Sequence, residues 1–377
     1  MNPLRIKALI RKEFYHLLRD YRSLYLAFAV PLILIVLFGY ALSLDVDNVE
    51  TVVVDYDQAD LSRDFVRKMA ASPYFEITAE LSSTQQAITY LDHDRAKVII
   101  VFPAGFTRKL RADREAPLQI IIEGSDPNFA GIIRGYLTAF TEHYNQKLLL
   151  NFLNRQGMEQ INPPVDGRIR VWFNEDLESR NFIIPGIIAI IIMIVGALMT
   201  SLIIAREYEN GTMETIKSLP VRAGEFLLGK ALPYFAIGLT DVLVAVLLGQ
   251  LLFGVVMKGN FWLMIAASSL YLGVALALGL LISNITKSQF VANQMAILIT
   301  YLPSLLLSNF VFPVINMPQF LQAITYLVPA TYYVDILSGI YLRNLGLMHL
   351  WPSMLVLGLI FVALAAVNYA YLKREGL

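Results

Sequence analysis

Few residues in this 377-residue chain have the type and spacing for chemistry. It has no cysteine, and its histidines, His16, His93, His143 and His349, are scattered without metal-ligand spacing. Gly224, Gly229 and Lys230 have the spacing of a phosphate-binding loop, G-x4-G-K-[ST], in which backbone amides cradle phosphates and the lysine meets them. Ala231 stands where the Mg²⁺-binding hydroxyl is needed, no strand pattern precedes the stretch, and a long apolar run follows it. The match is a decoy, and no other such loop occurs, so no catalytic, cofactor-binding or metal-binding residue is expected. Asp241 is a second candidate, the one charge inside the 27-residue apolar run Ala231–Met257. An acid at that depth is costly and is a functional candidate by default, as a proton or substrate relay. The other reading is a polar cluster inside a bundle with Asn293, Gln294 or Gln250. Lys230 is 11 residues from Asp241, about 16 Å along a helix, too far to pair.

The third candidate is the charged stretch Arg206–Pro220. Thr212 is placed to cap a short helix and Glu214 falls in its first turn, where a negative charge suits the dipole. Lys217 lies nearer the far end, and Pro220 stops the helix. A second short helix can start near Arg222 and run into the next apolar segment. Such an element is either a docking surface or an ordinary connector.

The elements around these candidates are membrane spans. Charged residues are 16% of the chain, hydrophobic residues 56%, and mean hydropathy is +0.57. That excludes a disordered chain and a basic nucleic-acid binder. Six runs are long enough for a hydrocarbon core of about 30 Å, which takes about 20 helical residues. They are residues 24–44, 182–205, 231–257, 261–282, 290–312 and 350–372. The first follows basic residues and ends near Ala41-Leu42-Ser43, like a signal peptide, but its 21 residues exceed a signal core of about 7 to 15. Residues 313–349 are apolar but broken by Pro313, Pro318, Pro329 and Gly339. They read as re-entrant or interfacial helices on the outer side. No internal repeat relates the two halves, unlike transporters built from repeats.

Positive residues in short loops set orientation. The ends and loops at residues 1–23, 206–230, 283–289 and 373–377 carry 13 basic and 7 acidic residues; residues 45–181 carry 15 basic and 21 acidic. Both termini are therefore expected in the cytosol and residues 45–181 outside. The zero net charge is a sum of opposites. Within 45–181, patterns predict strands at 51–55, 74–78, 98–102 and 118–123 and helices at 59–70, 83–91 and 128–152. Continuous apolar runs such as Val98–Phe102 suit strands covered on both faces. The fold class is membrane α-helical, with six transmembrane helices and an α/β extracytoplasmic domain inserted between the first two. Ahead of the first span, Ile6, Ile10, Phe14, Leu17 and Tyr21 share one helical face flanked by basic residues. That predicts either an interfacial helix over residues 1–23 drawn to anionic lipid, or a basic flank that only sets topology.

The 206–220 loop resembles the coupling-helix signature of ABC-2 type transporter permeases: an Arg-Glu pair, then Gly-Thr-x-Glu, then Pro. Arg206, Glu207, Gly211, Thr212, Glu214 and Pro220 match as they stand, with Met213 and Lys217 inside the motif, and Gly224–Lys230 resembles its continuation. The resemblance covers the whole chain, and Glu123–Asn128 resembles members with a large periplasmic domain. It implies a multi-pass protein of a bacterial inner membrane, the permease of an exporter for amphipathic substrates such as drugs or lipids. ATP and Mg²⁺ would sit on a separate ATPase subunit, a second permease copy or sister permease would complete a dimer, and a periplasmic adaptor is a further partner. The competing classes are an ion-coupled transporter using Asp241, and a membrane sensor with an outer ligand domain.

Overall fold

The computed structural model describes residues 2–19, 21–41, 48–112, 114–155, 173–174 and 178–377. The chain divides into two compact units, residues 44–169 and the rest.

The smaller unit is a four-stranded sheet with helices on both faces. Its strands are β1 (Val49–Asp55), β2 (Phe75–Leu81), β3 (Val98–Phe102) and β4 (Gln119–Ile122), in the order β2-β1-β3-β4. β1 pairs parallel with β2 and β3, and β4 runs antiparallel to β3. All five residues of β3 are buried, which explains its unbroken apolar run. Helices α3 (Asp60–Ala70), α4 (Thr84–Asp92), α5 (Phe106–Arg111) and α6 (Pro127–Arg155) complete the unit. α3, α5 and α6 share one core with Val53, Ile100 and Phe102, in which Phe65 meets Phe102, Phe140 and Tyr144 edge-on at 5.5, 5.0 and 4.9 Å. α4 packs on the other face, over Val52, Val54, Ile99 and Val101. The pattern predicted all these elements except α5, which is a single short turn.

The larger unit is helical. α1 (Pro3–Arg19) and α2 (Tyr21–Ala41) precede α7 (Arg180–Glu209), α8 (Thr212–Ser218), α9 (Ala223–Phe253) and α10 (Phe261–Thr286). α11 (Gln289–Ala296) continues through a π turn at Ile297–Tyr301 into α12 (Leu302–Leu306); α13 (Gln319–Thr325), α14 (Pro329–Arg343) and α15 (Leu347–Arg374) follow. Among the described residues, five helical stretches are long and apolar enough to cross a membrane: Arg180–Glu209, Ala223–Phe253, Phe261–Thr286, Gln289–Leu306 and Leu347–Arg374. The first predicted span falls on α2, within which Phe28–Tyr40 forms a shorter apolar helix. Its last residues, 42–44, lie outside the described residues, as do Asp20 and the side chain of Tyr21.

α7 is the central post of this unit. It packs against α2, α9, α10, α11 and α14, and Ile183 to Ala197 is buried on every face. That burial is why the run is apolar without period. Small residues let neighbours approach closely. A Cβ on Gly279 of α10 would run into Thr200 Oγ1 and the Ala197 carbonyl of α7. At this crossing Thr200 Oγ1 donates to the Leu276 carbonyl at 3.1 Å. Further along, α10 meets α15 through amides: Asn284 Nδ2 donates to Asn368 Oδ1 at 2.8 Å, and Asn368 Nδ2 donates to the Ala277 carbonyl at 2.9 Å.

The fifth predicted span ends at Leu306 rather than Phe312. Pro303 cannot donate to the helix ladder, and the wide π turn just before it absorbs the mismatch. Beyond it, Asn309 takes a left-handed φ of 63° and its side chain accepts from Val314 N at 3.0 Å, turning the chain out of the helix. The segment predicted as broken helices contains α13 and α14, and α14 is buried along Ala330, Tyr333, Val334, Leu337 and Ile340.

Gly279→Val should destabilise the larger unit by overpacking, about 1–3 kcal/mol. A lowered melting temperature in detergent is the expected readout. Gly358→Val, where a Cβ meets open space, should leave melting unchanged. Equal behaviour of the two variants would remove the close α7–α10 crossing from the fold.

Candidate functional site

The residues with coupling-type spacing converge where α7 ends and α9 begins. Gly211 makes the corner, with a left-handed φ of 70° that a side chain would strain. Gly211, and not Thr212 as the spacing suggested, is the N-cap of α8. The Thr212 hydroxyl turns back instead to the Glu207 carbonyl, at 3.3 Å, and to the Glu207 carboxylate. Met213 and Ile216 anchor α8 in the apolar core. Gly211, Thr212, Glu214, Thr215, Ser218, Leu219 and Pro220 remain exposed.

Beneath α8 lies a buried lysine. Lys230 is 2% exposed; its Nζ donates to Glu13 Oε1 at 2.6 Å and to Glu207 Oε1 at 2.5 Å. Lys12 Nζ donates to the same Glu207 oxygen at 3.1 Å. Two ammonium groups therefore balance two carboxylates, and three elements, α1, α7 and α9, meet at one point. The near-match to a phosphate loop is thereby explained in other terms. Gly224–Lys230 is continuous helix, with no loop to cradle a phosphate. Gly229 is there for packing, since its Cβ would stand 2.5 Å from Leu9 Cβ of α1.

The N-terminal helix is tied to the same loop. Arg5 donates to the Pro220 carbonyl, and Glu225 Oε1 accepts from Asn2 N at 2.6 Å. The predicted face of α1 is rotated slightly. Leu17 is buried and Ile6 and Ile10 are half-buried, but Phe14 is 45% exposed and Glu13 takes its place. A charge interrupting the stripe at Ile10 plus three and Leu17 minus four was the available signal for Glu13. Its partner Lys230 carried none, because the pairing spans 217 residues.

A second set of ion pairs holds the far end of α8. Glu375 accepts from Lys217 at 3.3 Å, Lys287 at 2.7 Å and the Tyr208 hydroxyl at 3.2 Å. Gln289 bridges α7 to α11: its Oε1 accepts from Arg206 Nε at 3.3 Å, and its N and Nε2 donate to Glu209 at 2.7 and 2.5 Å. The bond from Lys287, set against burial, holds the Glu375 carboxyl below the ordinary value of 4.5, with help from Lys217 and Tyr208.

Asp241 stands apart from this site. It is 4% exposed on α9, and neither carboxylate oxygen has a hydrogen-bond partner among the described residues. Asn293 and Gln294 are exposed on α11 and do not join it, and Gln250 is also exposed. The histidines gather no metal-binding group among the described residues.

Lys230→Met leaves two carboxylates facing each other in a buried site and should cost about 3–5 kcal/mol, whereas replacing Glu13, Glu207 and Lys230 together by Met should recover most of the loss. Thermal melting of the three proteins in detergent checks this, and a silent Lys230→Met would dissolve the hub. The Glu375 tie has a pH signature. A carboxyl with a depressed folded pKa contributes stability above 4.5, and that contribution is lost as pH falls through the folded value. Glu375→Gln should lower the melting temperature at pH 7, and the gap to the parent should close as pH falls below 4.5.

Known proteins resemble this chain in sequence over most of its length. Residues 22–370 match the family described as ABC-2 family transporter protein. The chain is 35% identical to "Probable multidrug ABC transporter permease YbhS" of Escherichia coli (strain K12), over 98% of this chain and 96% of that protein. It is 30% identical to "Probable multidrug ABC transporter permease YbhR" of the same strain, over 98% and 99%. "ABC transporter G family member 20" of Dictyostelium discoideum is 23% identical over 96% of this chain, which spans 50% of that longer protein. By the extent of the family match and the near full-length likeness to these permeases, the chain belongs to the ABC-2 family of transporter proteins as a membrane permease.

Proposed function

We propose that this permease is the membrane subunit of an ATP-driven exporter, and that a separate ATPase subunit docks on α8 and its flanks. The construction of α8 carries the reading: an exposed ridge from Gly211 to Pro220 rests on the buried Met213 and Ile216. A push on that ridge reaches α7 through Glu207 and Thr212, α9 through Lys230, and α1 through Glu13 and Arg5. Rigid ties of this kind pass a displacement into the spans rather than dissipate it in a loop. In this reading Arg206, Lys217 and Pro220 hold the platform, and Glu214, Thr215 and Leu219 meet the partner.

Orientation follows the basic residues. The α8 side and both termini face the cytosol of a bacterial inner membrane, α2 is the first of six spans, and residues 45–181 form the periplasmic domain. The exposed Phe14 and Leu18 of α1 suit a helix lying at the lipid interface. Substrates are amphipathic, drugs or lipids, in keeping with the multidrug names of the E. coli relatives. A second copy or a sister permease completes the pathway, and the periplasmic domain receives substrate or an adaptor protein.

One observation favours a second reading, an ion carried by Asp241: its buried carboxylate has no partner among the described residues. Asp241→Asn separates the two. Export should persist in the ATP-driven reading and vanish in the ion-coupled one.

Glu214→Arg and Leu219→Asp change exposed side chains and should leave melting within about 0.5 kcal/mol of the parent. Both should abolish co-purification with the ATPase and ATP-dependent efflux from cells. Survival of both activities in both variants would refute docking on α8. Cysteines placed at Ser125 and Ser218 should label from opposite sides of the membrane, and labelling of the Ser218 position from outside would overturn the orientation.

A further inference from the structure

The sheet of the smaller unit has a topological switch point. From β1 the chain passes through α3 to β2 on one side, then returns through α4 to β3 on the other. α3 and α4 lie on opposite faces of the sheet. In open sheets with this arrangement, ligands bind outside the carboxyl ends of the two strands that flank the switch. Here those ends are Asp55 of β1 and Phe102 of β3, which pair directly.

A cavity of about 420 Å³ opens there, lined by Asp57, Asp60, Thr107, Arg108 and Arg111. Clefts for small molecules run from about 300 to 1,000 Å³. The loop after β1 is firmly built. Asp55 accepts from Asp57 N and Gln58 N at 2.9 Å each and from Ser62 Oγ at 2.7 Å. Asp57 Oδ2 accepts from Thr107 N at 2.9 Å, joining the two loops.

The charges of the cavity do not all cancel internally. Arg111 and Asp60 pair at 2.5 Å. Asp55 is spent on its own loop. Asp57 has no cation and Arg108 no anion within 4.0 Å among the described residues. Thr107 is 5% exposed, and its hydroxyl has no hydrogen-bond partner among the described residues. One acid without a cation and one guanidinium without an anion thus share a cleft, next to a buried hydroxyl with no hydrogen-bond partner among the described residues.

We infer that this cleft binds a small zwitterion, an amino acid or short peptide. Its carboxylate meets Arg108, where a guanidinium offers paired donors, and its ammonium meets Asp57. Neither a simple anion nor a simple cation satisfies both groups. The site lies in a different unit from α8 and does not depend on the docking proposal.

The test uses the full chain in lipid nanodiscs, with hydrogen exchange read by mass spectrometry and affinity by calorimetry. The probes are glycylglycine, its N-acetyl form, which lacks the ammonium, and its amide, which lacks the carboxylate. Glycylglycine should protect residues 55–62 and 103–112 and bind at least tenfold more tightly than either blocked form. Arg108→Ala should weaken it tenfold or more. So should Asp57→Asn, which keeps the acceptor for Thr107 N and so preserves the loop. Arg67→Ala, at an exposed arginine outside the cleft, should change nothing. Absence of binding, equal binding of the three probes, protection elsewhere, or indifference to both Arg108→Ala and Asp57→Asn would each overturn the inference.

Discussion

A lysine ammonium removed from water must keep its counter-charges, and that constraint organises one end of the helical unit. Lys230 is satisfied by Glu13 and Glu207, which arrive from elements far apart in the chain. A buried ion pair is weak evidence for stability, because desolvation offsets much of the attraction. Its effect is on geometry. Neither carboxylate can leave without exposing a bare charge, so α1, α7 and α9 keep a fixed relation there. The exposed ridge of α8 then rests on a platform that resists local deformation.

The rest of the helical unit is graded around α7. Its apolar window is 83% buried, against 28% for α9 and 11% for α15. The sequence difference follows. α7 is apolar all round and has small residues where neighbours cross, whereas α9 and α15 spread large apolar residues over faces that remain exposed. Among the described residues, the interior polar groups of these helices are mostly spent on short ties such as Thr200 to Leu276 or Ser268 to Tyr333. Asp241 is the charged exception.

Much of this was legible in the chain alone, because hydropathy and period report directly on burial. The continuous run Val98–Phe102 meant a strand covered on both faces, and the stretch Arg206–Pro220 meant a short helix stopped by a proline. What escaped was long-range pairing. Glu13 and Lys230 look like ordinary surface charges until α1 is laid against α9. Thr212 was misassigned as a cap because the spacing cannot say whether a hydroxyl turns forward to its own helix or back to Glu207. Phe14 shares a face with Ile10 and Leu17 by period, yet it stays exposed while Glu13 turns to Lys230, because a 3.6-residue period leaves adjacent positions 13 and 14 hard to separate. The early end of the fifth span depended on Asn309 adopting a left-handed φ, a choice that apolar content does not report.

The amides between α10 and α15 carry a consequence for biogenesis. In lipid, apolar side chains gain little by leaving the hydrocarbon for another helix, so association rests on packing and on hydrogen bonds. α15 has the smallest buried share of the five long spans and is joined to α10 by the paired amides of Asn284 and Asn368. A helix of that composition is stable in the bilayer before it finds its neighbours. Such a span can sit in the bilayer by itself and latch onto the bundle around α7 through these amides.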